Sequence, residues 1–264
     1  MTDDTAHHTG SVALVGGGPG SDELLTVAAA KALATADVVL YDRLSPHSHL
    51  AGLAPQAELI DVGKRPGHHP ITQDEIEQTM IEHAKAGSRV VRLKGGDPYV
   101  FGRGSEEVIA CQAAGIPVTV IPGVTSAVSV PASVGIPLTH RGLSHLFTVV
   151  SGHAPLTDDE LGHLAGLGGT IVVLMGIGTL PHLVAGLRQF GSPDDLPVAI
   201  IERGFSDSQT TTISTLATVV QDAAIAKVAS PAVIVIGEVV RLAYDGDADA
   251  HALLARAELL ARVD

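Results

Sequence analysis

The residues best suited to chemistry crowd into 92–107, RLKGGDPYVFGRGSEE. Gly95, Gly96, Gly102 and Gly104 free the backbone for unusual geometry, and Asp97 precedes Pro98 in a fixed turn. Arg92, Lys94 and Arg103 bring cations to the same stretch. A structural turn needs a glycine or two, whereas a run of them interleaved with charge reads as a binding loop at a strand end. A carboxylate follows the apolar run at 38–40, in Tyr41-Asp42-Arg43-Leu44, and an ammonium follows another in Val62-Gly63-Lys64-Arg65. On neighbouring strand ends Asp42 and Lys64 would form either an acid–base pair or a plain salt bridge, and spacing leaves both open.

Two more loops invite a ligand. Gly16-Gly17-Gly18-Pro19-Gly20 follows the first apolar run, so a ligand would approach the backbone closely there. A dinucleotide fingerprint wants a third glycine where Ser21 stands, and Pro19 removes an N–H that would face a pyrophosphate. Pro122-Gly123-Val124-Thr125-Ser126 offers backbone N–H groups and hydroxyls between a strand and a helix. There is no GxxxxGK[ST], no GxSxG and no HExxH, so triphosphate hydrolysis, a serine elbow and a zincin site lack their signs. The single cysteine, Cys111, excludes a disulfide framework and any CxxC metal site, and His68 and His69 are adjacent rather than set for a shared ligand. No metal is expected.

These loops need strands and helices to hold them. The sequence predicts strands over 11–16, 37–41, 57–61, 89–93 and 116–121, with helices over 22–36, 72–86 and 106–114. Thr72 and Glu75 have capping-box spacing. Such alternation implies an open, mostly parallel sheet. After a change of texture around 135–142, strands are expected over 146–151, 170–175, 198–202, 210–214 and 232–237, and helices over 157–165, 180–190 and 216–224. The reading is α/β throughout: a tail over 1–10, an N-terminal domain over 11–140, a C-terminal domain over 141–245 and an Ala/Leu-rich helix over 246–264.

Composition narrows the function. The chain has 264 residues, 45% of them hydrophobic with no Trp, so its core is built from small and branched aliphatics. A net charge of −13 disfavours nucleic acid as a partner. Residues 43–103 nevertheless hold eight Lys or Arg against seven Asp or Glu, a local field that a polyanion would sense. The polar start is unlike a signal peptide, and the most apolar stretch, 170–187, is broken by Gly and Pro, so a soluble cytoplasmic protein is expected.

The chain resembles the tetrapyrrole methylase family in VALVGGGPGSDELLT, ADVVLYDRL, VGKRPG, VRLKGGDPYVFGRGSEE, IPGVTSA and GIPLTHR, and more weakly in VVSGH, TIVVLMG, PVAIIERG, QTTTISTL and PAVIVIGEVV. These span roughly 11–242, and YDRL, VGKR and KGGDPYVFGRG point to the branch acting on uroporphyrinogen III. The resemblance implies two α/β domains with a cofactor cleft between them, in a homodimer. It implies S-adenosylmethionine as cofactor, leaving as S-adenosylhomocysteine, with contacts at Pro19, Gly95, Gly96, Asp97, Val100, Thr125, Ser126, Met175 and Gly204. Asp42 would accept a proton. Lys64 would donate one or bind a substrate carboxylate, and Arg43, Arg65, Arg103 and Arg141 would bind the other carboxylates. The implied reaction is methylation at ring carbons 2 and 7, through precorrin-1 to precorrin-2. With no dehydrogenase–chelatase or synthase segment in this sequence, methylation alone is expected. The rival readings are a methylase of a later precorrin, a nicotinamide-dependent oxidoreductase using the first glycine loop, and a non-catalytic tetrapyrrole carrier.

Overall fold

In a computed structural model, residues 10–46, 49–63 and 71–243 are described. The chain divides into two units, Met1–Thr125 and Ser126–Asp264. The division falls before the boundary expected near 140, because the helix that opens the second unit packs on that unit's strands. The expected tail over 1–10, apart from Gly10, and the expected C-terminal helix over 246–264 lie outside the described residues.

The first unit runs β1 (Ser11–Gly16), α1 (Val27–Ala34), β2 (Val38–Tyr41), α2 (Leu50–Leu53), β3 (Glu58–Asp61), α3 (Gln73–Lys85), β4 (Arg89–Lys94), α4 (Gly104–Ala113) and β5 (Val118–Ile121). All pairings are parallel, in the order β3-β2-β4-β1-β5. Alternate strand residues reach opposite faces. Val12, Leu14, Leu40 and Val90 pack with Ile76 and Met80 of α3 and Cys111 of α4, while Val15, Val39 and Leu93 pack with Ala29 and Leu33 of α1 and Leu50 of α2. On α3, Ile76, Met80 and Ala84 recur at helical spacing, and sequestering an Ile or Met contributes about 1.5–3 kcal/mol. The helix starts where expected, with the Thr72–Glu75 capping box formed.

The chain leaves β1 toward one edge of the sheet and β4 toward the other. Right-handed crossovers then send α1 and α4 to opposite faces, which makes the ends of the adjacent strands β1 and β4 a topological switch point.

The second unit runs α5 (Ser126–Ser133), β6 (Phe147–Ser151), α6 (Asp158–Leu167), β7 (Thr170–Leu174), α7 (Leu180–Gln189), β8 (Pro197–Glu202), β9 (Thr210–Thr215), α8 (Val219–Ile225) and β10 (Ala232–Ile236). Its order is β6-β7-β10-β8-β9, with β6–β7 parallel and the other three pairings antiparallel. One core gathers Leu161, Leu183, Leu187, Ile200, Leu216 and Ile234. Since β10 opposes both β7 and β8, these two point the same way and end at one edge.

Candidate active site

At the C-terminal edge of the first sheet, glycine backbones lie against one another. Gly17 N donates to Lys94 O at 2.7 Å. Gly18 and Gly96 exchange hydrogen bonds, Gly18 N to Gly96 O at 3.1 Å and Gly96 N to Gly18 O at 2.7 Å. A Cβ on Gly16 would stand 2.4 Å from Gly123 N, and one on Gly95 would stand 2.7 Å from the Leu44 Cβ. Asp97 ties the group together: Oδ1 accepts from Tyr99 N at 2.8 Å, and Oδ2 accepts from Gly123 N at 3.1 Å. The loops after β1, β4 and β5 thus form one platform. At Gly16 and Gly95 the absent side chains admit neighbouring protein.

The loop after β1 does not open into an α-helix. The helix expected over 22–36 is a single 3-10 turn, Asp22–Leu24, an extended Leu25, and then α1, whose N-cap Thr26 accepts from Ala29 N at 3.1 Å. The first glycine loop therefore does not run directly into an α-helix N-terminus, as the anion cradle of a dinucleotide site requires.

Beside the platform stands Asp42, at the end of β2. Its Oδ1 accepts from Leu44 N and Ser45 N, both at 3.1 Å. Its Oδ2 faces Arg92 Nη2 at 3.6 Å, an ion contact longer than a hydrogen bond. Arg92 and Lys94, two residues apart on β4, share the face covered by α3 and α4, and both are buried. They converge on Glu107 of α4, which is fully buried: Oε1 accepts from Arg92 Nε at 3.1 Å, Lys94 Nζ at 3.0 Å and Gln73 Nε2 at 3.2 Å. Oε2 lies 2.9 Å from Lys94 Nζ without hydrogen-bond alignment. Burial, and next the neighbouring Arg92, hold the Lys94 ammonium below its ordinary pKa, against the pull of Glu107 and Asp42.

Strained backbone occurs in loops of each unit. Among the described residues six non-glycines take positive φ, and Phe101 (54°), Arg103 (56°), Met175 (59°), Arg203 (48°) and Phe205 (64°) all lie in loops that leave β4, β7 or β8. Such conformations persist where the surroundings over-determine them, and they gather at ligand sites. Arg103 caps α4 and forks onto Glu106, whose carboxyl it holds below the ordinary range through that hydrogen bond. In the second unit Gln209 Oε1 accepts from Phe205 N at 2.7 Å and from Ser133 Oγ at 3.3 Å, which fixes the loop around Gly204. A Cβ on Gly204 would meet the Val130 side chain at 2.6 Å.

The first unit therefore gathers Pro19, Gly95, Gly96, Asp97 and Val100 with Asp42, Arg43 and Arg103 at or beside one sheet edge, and Thr125 closes that unit. In the second unit Met175 and Gly204 follow β7 and β8 at one edge; Ser126 opens α5, and Arg141 is exposed before β6. Lys64 and Arg65 lie outside the described residues. The residue that sequence reasoning missed is Glu107. Its signal is two cations at alternate positions of an otherwise apolar strand, since buried charge needs a partner. Among the described residues no group of three or more His, Cys, Asp or Glu is placed to hold a metal ion.

A parallel sheet with a glycine platform and a carboxylate at its C-terminal edge, joined to a second α/β unit, defines the class: a two-unit α/β enzyme. Residues 11–220 match the Tetrapyrrole (Corrin/Porphyrin) Methylases, and the chain belongs to that family. It is 46% identical over 237 residues to the S-adenosyl-L-methionine-dependent uroporphyrinogen III methyltransferase of Methanosarcina barkeri, covering 88% of this chain and 93% of that protein. The siroheme synthase of Gluconobacter oxydans is 45% identical over 90% of this chain, which spans 51% of that longer protein. Uroporphyrin-III C-methyl transferase from Thermus thermophilus, solved with S-adenyl homocysteine, superposes with a TM-score of 0.72 at 41% identity, covering 88% of this chain and 99% of that one.

Proposed function

We propose that this chain is an S-adenosylmethionine-dependent C-methyltransferase that converts uroporphyrinogen III to precorrin-2 by methylating carbons 2 and 7 in turn, with precorrin-1 between. The observation that carries the reading is Asp42, whose Oδ1 is held by two backbone N–H groups while Oδ2 has no hydrogen bond among the described residues. The relatives named above support the substrate and the cofactor.

The residues fit a sulfonium nucleoside and its thioether product. Phe101 and Met175, both at positive φ, are 44% and 46% exposed and offer apolar side chains, and the Gly95-Gly96-Asp97 turn belongs to the proposed set. Pro19, Val100, Thr125, Ser126 and Gly204 complete the proposed binding set. When bound, S-adenosylmethionine supplies a methyl that bonds to the ring carbon while the C–S electron pair stays on sulfur, giving S-adenosylhomocysteine. The methylated ring carries one positive charge until a proton leaves, and Asp42 Oδ2 takes that proton. Lys64 returns a proton or binds a carboxylate, and Arg43, Arg65, Arg103 and Arg141 bind the remaining carboxylates by charge-assisted hydrogen bonds. The same reading extends to a homodimer in the cytoplasm; among the described residues no helix is long and apolar enough to cross a membrane.

The test is anaerobic incubation with uroporphyrinogen III and methyl-labelled S-adenosylmethionine, followed by product mass. Two methyl groups gained per tetrapyrrole is the expected result. An unlabelled tetrapyrrole with cofactor bound would overturn the substrate and point to a later precorrin. Asp42→Asn should lower turnover by about 100-fold or more and leave cofactor affinity intact.

A further inference from the structure

We propose that Arg92 is a positioning residue for the reaction: anchored by buried Glu107, it holds the Asp42 carboxylate so that Oδ2 is the oxygen that meets the proton. This rests on the reading of Asp42 as the proton acceptor. The geometry is specific. Arg92 is 4% exposed, and its guanidinium is pinned twice, Nε to Glu107 Oε1 at 3.1 Å and Nη1 to Leu93 O at 2.9 Å. Both bonds turn Nη2 toward Asp42 Oδ2 at 3.6 Å. From the other side, Leu44 N and Ser45 N hold Oδ1. The carboxylate is thus clamped between backbone and guanidinium, with Oδ2 on the guanidinium side.

Charge completes the argument. Arg92 and Lys94 are two cations around one anion, Glu107, and the excess positive charge faces Asp42. An ion cluster sequestered this deeply is weak as a stabilising device, because apolar residues of similar volume commonly serve as well or better. Gln73 Nε2 adds a third donor to Glu107 Oε1 at 3.2 Å, so the anchor itself cannot swing. On β4 the even-numbered face begins apolar at Val90 and turns charged at Arg92 and Lys94, toward the end of the strand that carries the glycine platform. The register places Leu40, two residues before Asp42, opposite Arg92.

The test is a double-variant cycle of Arg92→Met and Asp42→Asn, read by labelled-methyl transfer in single turnover, with KM for uroporphyrinogen III and the S-adenosylhomocysteine Kd measured alongside. Arg92→Met leaves Glu107 paired with Lys94 and keeps the side-chain volume close. It should lower the rate by about 10–100-fold, the scale of a misplaced reacting group, with KM and Kd changed by less than about twofold. In the Asp42→Asn background it should add less than about twofold, because coupled groups are not additive. Arg92→Lys should recover part of the rate, and it carries the same cycle where Arg92→Met does not fold. A wild-type rate in the Arg92 variant, or an equal loss in both backgrounds, would overturn the positioning role alone. A wild-type rate in Asp42→Asn would remove the proton-acceptor reading, and this proposal with it.

Discussion

Asp97→Asn separates a scaffold role from a direct cofactor role. Asp97 accepts from Tyr99 N at 2.8 Å and from the part-buried Gly123 N at 3.1 Å, so each carboxylate oxygen already serves a different loop. The amide keeps one acceptor and aims its own N–H groups at the other donor. A hydrogen bond to a charged group contributes about 1.5–3 kcal/mol, and solvent beside Tyr99 favours the lower part of that range. The expected loss is about 2 kcal/mol, or about 1 M in urea midpoint at a slope of about 2 kcal/mol/M. Far-UV circular dichroism reads it, since the chain has no Trp. The unliganded variant should unfold earlier, and its affinity for S-adenosylhomocysteine should fall as the platform loosens. An unchanged midpoint with weakened binding would refute the scaffold argument and make Asp97 a direct ligand contact.

Two further outcomes follow from the same geometry. Gly16→Ala would place a Cβ 2.4 Å from Gly123 N and 2.5 Å from Gly123 Cα, both backbone atoms. The unfolding free energy from urea titration should then fall by about 2–3 kcal/mol, the upper part of the overpacking range, and wild-type stability would show that the β5 loop gives way. Asp37, forked by Arg89, has its pKa lowered from 3.8 to about 2, chiefly by the Arg89 side-chain hydrogen bond. A depressed carboxyl stabilises the fold above the unfolded value and loses that contribution as pH falls toward about 2. Asp37→Asn should therefore melt earlier at neutral pH and converge with the parent below pH 3.8; the pair is exposed, so the gap is small. A gap as wide at pH 2 as at neutral pH would contradict the sign.

The central strands of the first sheet were readable because they are buried on both faces and appear as apolar runs, as in VALVGG and VVLY. The capping box before α3 was readable for a local reason: it depends on residues three apart. Helix α1 was read too long because Asp22 and Glu23 look like a first turn, whereas Thr26 is the true N-cap. The antiparallel pairings of β10 are non-local, and the seven residues between β8 and β9 carry no hairpin signature, so the mixed second sheet was hidden. At the site, Asp42 and the glycine loops announced themselves by type. The service of Asp97 and Glu107 to neighbouring loops and cations depends on which strands lie side by side, and spacing along the chain does not encode that.

The exchange of hydrogen bonds between Gly18 and Gly96 has a consequence during synthesis. Strand β1 is made first, yet it lies between β4 and β5, the last two strands of its sheet. At about 5–20 residues per second the ribosome needs roughly 5–20 s to travel from Gly18 to Gly123. Until β4 is made the apolar segment SVALVG has neither lateral neighbour and Gly18 has no Gly96 to close against, and the second neighbour, β5, comes only at the end of that interval. Ligand affinity should therefore arise in one late step on the nascent chain, and β1 is the segment for which a holdase chaperone would compete.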